Sequence, residues 1–163
     1  MTMLYIHNGE NIVFLGLPGV GKTHLSVALG IRAIMSDIPV YYVSAMKPVR
    51  TLNCDYDLNR LEYRIKTYSR FRLMIIDEIE YLPLSSEKSN LFFRFVSARY
   101  EKRTPTYTSN KSFPEWGEIL GDQAMAAAVI DRILHYCNVV NIRGEPYRLK
   151  DRRENSLSPN RRE

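Results

Sequence analysis

The sequence predicts an α/β fold, a three-layer α/β/α domain around a mostly parallel five-stranded sheet, and three observations carry that reading. Apolar, strand-like runs recur at 11–15, 39–43, 72–77, 104–109 and 138–142. Helical patterns fill the intervals at 22–35, 45–69 (with a break), 86–100 and 122–135. Regular alternation of the two kinds of element implies parallel strands with helices on both faces. The third observation is local. Residues 16–23 read Gly16-Leu17-Pro18-Gly19-Val20-Gly21-Lys22-Thr23, a GxxxxGK[ST] phosphate-binding loop set between the first strand and the first helix.

Taken in order, Ile12, Val13, Phe14 and Leu15 are apolar throughout, as expected of a strand buried on both faces. Leu25, Ala28, Leu29 and Ala33 give the helix after the loop an apolar face, and Ser36-Asp37-Ile38-Pro39 ends it, since proline cannot continue a helix. Leu73 to Ile76 form a third strand, again apolar on both faces. Ser85 and Ser86 offer a cap before Leu91, Phe92, Phe95 and Val96, which mark one apolar helix face. The fourth strand carries Pro105, which removes a ladder donor. Pro105 must therefore open that strand or distort it. An alanine-rich helix, with Ala124 and Ala126 to Ala128, leads into the last strand. Residues 150–163 are charged and without apolar periodicity, so the reading is a domain over 1–149 and a disordered tail over 150–163.

A length of 163 residues suits one well-buried core. The net charge of +5 suits a polyanionic partner and equally a solubilising surface. Cys54 and Cys137 are far apart and in no metal-binding spacing, as expected of reduced thiols in a cytoplasmic protein. No window has the length or apolarity of a signal peptide or a membrane span, so no membrane partner is expected.

The loop's glycines let backbone amides turn inward around a polyphosphate, and the following helix N-terminus adds a favourable dipole. Residues 16–24 are therefore the expected nucleotide-binding segment. Lys22 would reach the β- and γ-phosphates and Thr23 would place its hydroxyl on Mg²⁺. His24 adjoins them as a packing residue rather than a catalyst. The strand ending in Asp77-Glu78 supplies the second half of such a site. Asp77 would organise Mg²⁺, and Glu78 would deprotonate the attacking water. The spacing from Lys22 to Asp77 suits one strand inserted between the two motifs.

Asn110, at the end of the fourth strand, is either a γ-phosphate sensor or an ordinary turn residue. Arg132 is either an arginine finger reaching a neighbouring subunit or a partner of Asp131 or a nearby carboxylate in a surface ion pair. Lys47, Arg50, Arg60, Arg64, Lys66, Arg70 and Arg72, interleaved with Tyr56, Tyr63 and Tyr68, form either a nucleic-acid track or a solvated helix face. Phe113 and Trp116 are expected to anchor a loop on the core.

From about residue 9 to 150 the chain resembles the ATPase domain of IstB-like transposition helper proteins, relatives of the helicase loader DnaC and the initiator DnaA in the AAA+ class of P-loop NTPases. The resemblance rests on residues 16–25, on Ile75-Ile76-Asp77-Glu78, Tyr81-Leu82-Pro83-Leu84, Thr108-Ser109-Asn110, Glu115-Trp116-Gly117-Glu118, Asp131-Arg132-Ile133-Leu134-His135, and 143–150. It implies ATP-driven homo-oligomerisation on DNA in aid of a transposase, with Asn110 as sensor and Arg132 as a trans-acting finger. The chain departs from the family pattern in three places. Few residues precede the loop strand, where relatives carry a helical region. Glu80 stands where a small residue is usual, and Pro105 and Tyr107 interrupt a usually β-branched strand. The function read from the sequence is thus an ATP-hydrolysing, DNA-associated transposition helper. The alternatives are a helicase-loader-like replication ATPase and a truncated ATP-binding module with negligible turnover.

Overall fold

The computed structural model describes residues 3–81 and 84–147. In chain order the elements are α1 (Leu4–Asn8), β1 (Asn11–Leu15), α2 (Lys22–Ile34), β2 (Val40–Ser44), α3 (Met46–Asp57), α4 (Leu61–Tyr68), β3 (Leu73–Asp77), α5 (Ser86–Arg99), β4 (Thr104–Ser109), α6 (Trp116–Leu120), α7 (Gln123–Leu134) and β5 (Cys137–Asn141), with single 3₁₀ turns at Ile79–Tyr81 and Phe113–Glu115. The strands form one sheet in the order β2-β3-β4-β1-β5, and every pairing is parallel. The inserted strand expected between the two motifs is β4, which lies between β1 and β3. Predicted and observed strand limits differ by at most one residue. The expected tail, 150–163, lies outside the described residues.

Side chains alternate across a strand, so each strand feeds two cores. Val13, Met74, Ile76 and Tyr107 face a large core closed by α3 to α7. Ile12, Phe14, Leu73 and Ile75 face a smaller one closed by α1 and α2, with Tyr5, Ile6, Ala33 and Ile38. The break in the long helical segment falls at Asn59, whose φ of 54° places it in the left-handed region that Asn tolerates better than most residues. Helix α1 has no counterpart in the sequence reading, because five residues are too few to show a 3.6-residue period. It is tied down by burial of Tyr5 and Ile6, and by the Thr104 hydroxyl, which donates to the carbonyls of both at 3.4 Å.

Pro105 takes neither place expected of it. It is the second residue of β4, opposite Met74, in unbroken register. Thr104 donates its N–H to Arg72 O at 2.9 Å, toward β3, so the nitrogen of the next residue points toward β1. Pairing with β1 begins only at Thr106, so the missing donor costs no ladder bond. Arg99 is a second unexpected core feature. Only 1% exposed, its guanidinium donates to Tyr68 O at 2.7 Å and Phe71 O at 3.0 Å, holding the turn between α4 and β3. Burial pushes its pKa down to about 10.

Candidate functional site

Parallel strands bring their C-terminal ends to one edge of the sheet. The register pairs Leu15 with Ser109 and Ile76 with Tyr107, so the Gly-rich loop, the Asp77-Glu78 pair and Asn110 emerge side by side. The loop bends through Gly16 (φ +154°), Gly19 (φ +82°) and Gly21 (φ +98°), conformations that a side chain would strain. It enters α2 with Gly21 as N-cap and no side-chain cap, leaving the first-turn amides for an anion.

Lys22 is 8% exposed, and its ammonium donates to Gly16 O at 2.7 Å and Leu17 O at 3.0 Å. Burial lowers its pKa, opposed first by the charge of Glu80 and then by those of Asp77 and Glu78. A buried cation held by the loop's own carbonyls, beside the uncapped N-terminus of α2, suits a polyanion.

Asp77 is 3% exposed and is held by three hydroxyls. Thr23 Oγ1 donates at 3.1 Å, Tyr42 donates at 2.5 Å, and Thr108 donates to the other carboxylate oxygen. Burial, then the bond to Asp77, raises the pKa of Tyr42, keeping it a donor. Among the described residues Asp77 joins no salt bridge. A buried carboxylate beside a threonine hydroxyl is the hard-oxygen donor set that suits Mg²⁺. The described residues include no cluster of three or more His, Cys, Asp or Glu able to hold a metal alone, so such an ion would need phosphate oxygens and water as well.

Glu78 is exposed and adopts φ 61°, a left-handed backbone uncommon for a glutamate, which turns the chain sharply at the strand end. Its N–H donates to Thr108 Oγ1 at 3.0 Å, so one threonine ties the backbone of Glu78 to the carboxylate of Asp77. Asn110 is half-buried, and its N–H donates to Glu80 Oε2 at 3.2 Å. Tyr42 was not singled out in the sequence, and Thr108 only within the run Thr108-Ser109-Asn110. A hydroxyl two residues before the polar end of the adjacent strand was the available signal for Thr108.

The other sequence candidates divide. His24 is exposed and lines the cleft beside the loop, so it does not pack as expected. Arg132 ends α7, which feeds β5 where Cys137 pairs with Asn11, the first residue of β1. It therefore lies at the sheet edge opposite its own Gly-rich loop. Its guanidinium stacks on Tyr100 at 4.7 Å, and the alternative to a finger, an ion pair with Asp131 or a nearby carboxylate, is absent from the salt bridges among the described residues. In the basic segment, Tyr68 is a core residue packed edge-on against Phe95, while Tyr56 and Tyr63 are exposed. Arg60 and Arg64 pair with the buried Asp55 at 3.5 and 2.5 Å. Lys47, Arg50, Lys66 and Arg70 are exposed and join none of those salt bridges. Trp116 is fully buried against Phe113, as expected of a loop anchor.

Comparison with known proteins gives this geometry a family. The model of the IstB-like ATP-binding proteins matches residues 1–155. A protein of insertion sequence IS21 from Pseudomonas aeruginosa, described as ATP-binding, is 43% identical over 152 residues, covering 93% of this chain and 57% of the relative. The chain thus spans about three fifths of that relative's length. Among solved structures, the DnaC helicase loader superposes with a TM-score of 0.69 at 23% identity, covering 86% of this chain and 85% of that one. AMPPCP-bound DnaA from Aquifex aeolicus gives 0.70 at 21% identity, covering 93% and 48%. At these identities the two structures speak to the fold, and the fold is of the AAA+ type. Among the described residues no helix is long and apolar enough to cross a membrane.

Proposed function

The chain belongs to the IstB-like ATP-binding proteins, and from that premise we propose that it is a Mg²⁺-dependent ATPase acting as a DNA-associated helper in transposition. The observation that carries the chemistry is the row of Lys22, Thr23, Asp77 and Glu78 along one sheet edge, with Thr23 Oγ1 at 3.1 Å from the Asp77 carboxylate. Lys22 and the α2 amides bind the β- and γ-phosphates. Thr23 and Asp77 would hold Mg²⁺, which when bound neutralises charge on the phosphate oxygens. Glu78, exposed beside them, takes the proton of the water that attacks the γ-phosphorus, and the γ-phosphate leaves ADP as inorganic phosphate. The Thr108 hydroxyl keeps Asp77 and the Glu78 backbone in one arrangement. DNA, a transposase and further copies of the chain are the proposed partners. The insertion-sequence relatives and the exposed cations of α3 and α4 support that part of the reading.

The test is ATP turnover with and without DNA in three proteins. Wild type should hydrolyse ATP. Lys22→Ala should lose both turnover and the ATP-induced rise in melting temperature, which follows from ligand linkage. Glu78→Gln should keep that rise while turnover falls by roughly 10²-fold or more. Equal ATP-induced shifts in wild type and Lys22→Ala would remove Lys22 from its role. Wild-type turnover in Glu78→Gln would do the same for the base.

A further inference from the structure

Helix α2 lies on the sheet the opposite way round from an ordinary surface helix. Beyond Lys22 its buried face is made of small residues, Ser26, Gly30 and Ala33. A Cβ on Gly30 would meet Ile75 Cδ1 at 2.9 Å, so the helix sits close against β3. Larger apolar side chains point outward. Val27 is 38% exposed, Ile31 54%, Ile34 60% and Met35 80%, and Ala28 is exposed among them. Single exposed apolar residues are ordinary on a protein surface, whereas a contiguous apolar ridge marks a contact surface.

The spacing of the ridge says what fits it. Val27, Ile31 and Met35 form a row four residues apart, Ala28, Ile31 and Ile34 a row three apart, and the two rows cross at Ile31. The ridge is therefore symmetric about Ile31. A second α2 laid antiparallel across the first, with a two-fold axis through Ile31, sets Val27 against Met35, Ala28 against Ile34 and Ile31 against its own counterpart. Small faces large in two of these pairs, which is how packed side chains interdigitate. The helix dipoles oppose each other, which favours the arrangement. No charged residue interrupts the ridge, and Arg32 stands exposed at its flank. Such a ridge offers on the order of 500 Å² a side, so a pair buries roughly 1,000 Å², the lower bound for a specific interface.

We propose that this ridge is a docking surface for a second copy of the chain, and that two copies pair through α2 in an antiparallel, two-fold contact. The ridge begins a full turn beyond Thr23, so the contact requires no nucleotide and stands whether or not the nucleotide-site reading holds. It differs in kind from an arginine-finger contact, which joins unlike surfaces of two copies, whereas a two-fold contact is complete in a pair. Each copy carries a net charge of +5, so repulsion between copies opposes the contact and salt relieves it.

The experiment is analytical ultracentrifugation without nucleotide or DNA, over a concentration series reaching the high-micromolar range. The samples are wild type, Ile31→Glu, Ile31→Lys and an equal mixture of the two variants. Wild type should form dimers and nothing larger, and more of them as salt is raised. Each variant alone should dimerise roughly a hundredfold more weakly, because it sets two like charges face to face in an apolar contact. Their mixture should recover dimers, since position 31 of one copy meets position 31 of the other and Glu then faces Lys. Ile31 is exposed, so both variants should keep the circular dichroism spectrum of wild type. A monomeric wild type would leave the ridge to a different protein and overturn the proposal. Dimers that persist in both single variants, a mixture that stays monomeric, assembly beyond a dimer, or a dimer that salt dissolves would each overturn it as well.

Discussion

Glu80 bears on the site through two interactions that a small residue in its place would not make. Its carboxylate accepts the Asn110 N–H, and its charge is the largest of those that oppose the burial-driven fall in the Lys22 pKa. The same charge faces the place where a triphosphate would lie. Glu80→Gln keeps an acceptor for Asn110 and deletes the charge. ATP affinity at low ionic strength should rise by about fivefold, corresponding to roughly 1 kcal/mol for one unit charge in a partly solvated cleft. The gain should shrink as salt screens it. The pH dependence has a definite sign. Lys22 binds phosphate as an ammonium, and binding is lost as pH rises through its lowered pKa. Without Glu80 to hold that pKa up, the variant should lose affinity at a lower pH than wild type. Equal affinities at low salt would place the Glu80 carboxylate away from the phosphates. At this scale the sequence singled out Lys22, Thr23, Asp77 and Glu78 as candidates, because their spacing along the chain is itself the motif, and the structure brings them to one sheet edge. The contact of Tyr42 with Asp77 was illegible, since it depends on register between β2 and β3, and Thr108 was legible only as part of the run Thr108-Ser109-Asn110.

Helix α7 carries Arg132 to the edge of the sheet away from its own loop, and this geometry separates the two roles open to that residue. Asp122 caps the helix, accepting from Ala124 N at 2.7 Å and Met125 N at 3.1 Å, so the helix frame is set without Arg132. Stacking on Tyr100 is worth roughly 0.5–1 kcal/mol at a partly exposed site. If Arg132 is only a packing residue, Arg132→Ala should melt slightly lower and hydrolyse ATP normally. If it completes a neighbour's site, Arg132→Ala should bind ATP as wild type does, yet lose turnover and ATP-dependent assembly. Mixing it with Glu78→Gln should then restore some activity at junctions where an intact base meets an intact arginine. Wild-type turnover by Arg132→Ala alone, at every protein concentration, would settle the matter for packing. Most elements were legible from alternating apolar runs. The exceptions have physical causes: α1 is too short to show a period, and Pro105 is harmless because its neighbour strand has not yet begun to pair.

Across the molecule, the helices divide unequally over the sheet, with α3 to α7 on one face and α1 and α2 on the other. Element alternation predicted covered faces but not this asymmetry, which depends on the path of each crossover. It leaves α3 and α4 as an outer layer that carries the basic segment, and the structure sorts that segment into two groups. Arg60 and Arg64 serve the fold, because the Asp55 carboxylate they pair with is only 6% exposed. Arg64→Ala should cost stability, as it removes the nearer partner of a buried carboxylate and leaves only Arg60, at 3.5 Å, to compensate it. Lys47, Arg50, Lys66 and Arg70 are exposed and free of such pairs among the described residues, as is Arg72 just before β3, and these cations are available to a DNA backbone, the first four lying on or next to α3 and α4. Neutralising these four together should leave the melting temperature and ATP affinity near wild type. Every phosphate that is no longer neutralised should reduce the slope of log affinity against log salt by about 0.9 on duplex DNA. Affinity should be largely independent of sequence, since phosphate interactions carry no base information. ATP should strengthen it, because assembly lines up several such patches on one strand. A salt slope unchanged in the quadruple variant would move the DNA track off α3 and α4. An absence of wild-type DNA binding at low salt with saturating ATP would sink the helper reading and leave a nucleotide-binding domain without a nucleic-acid partner.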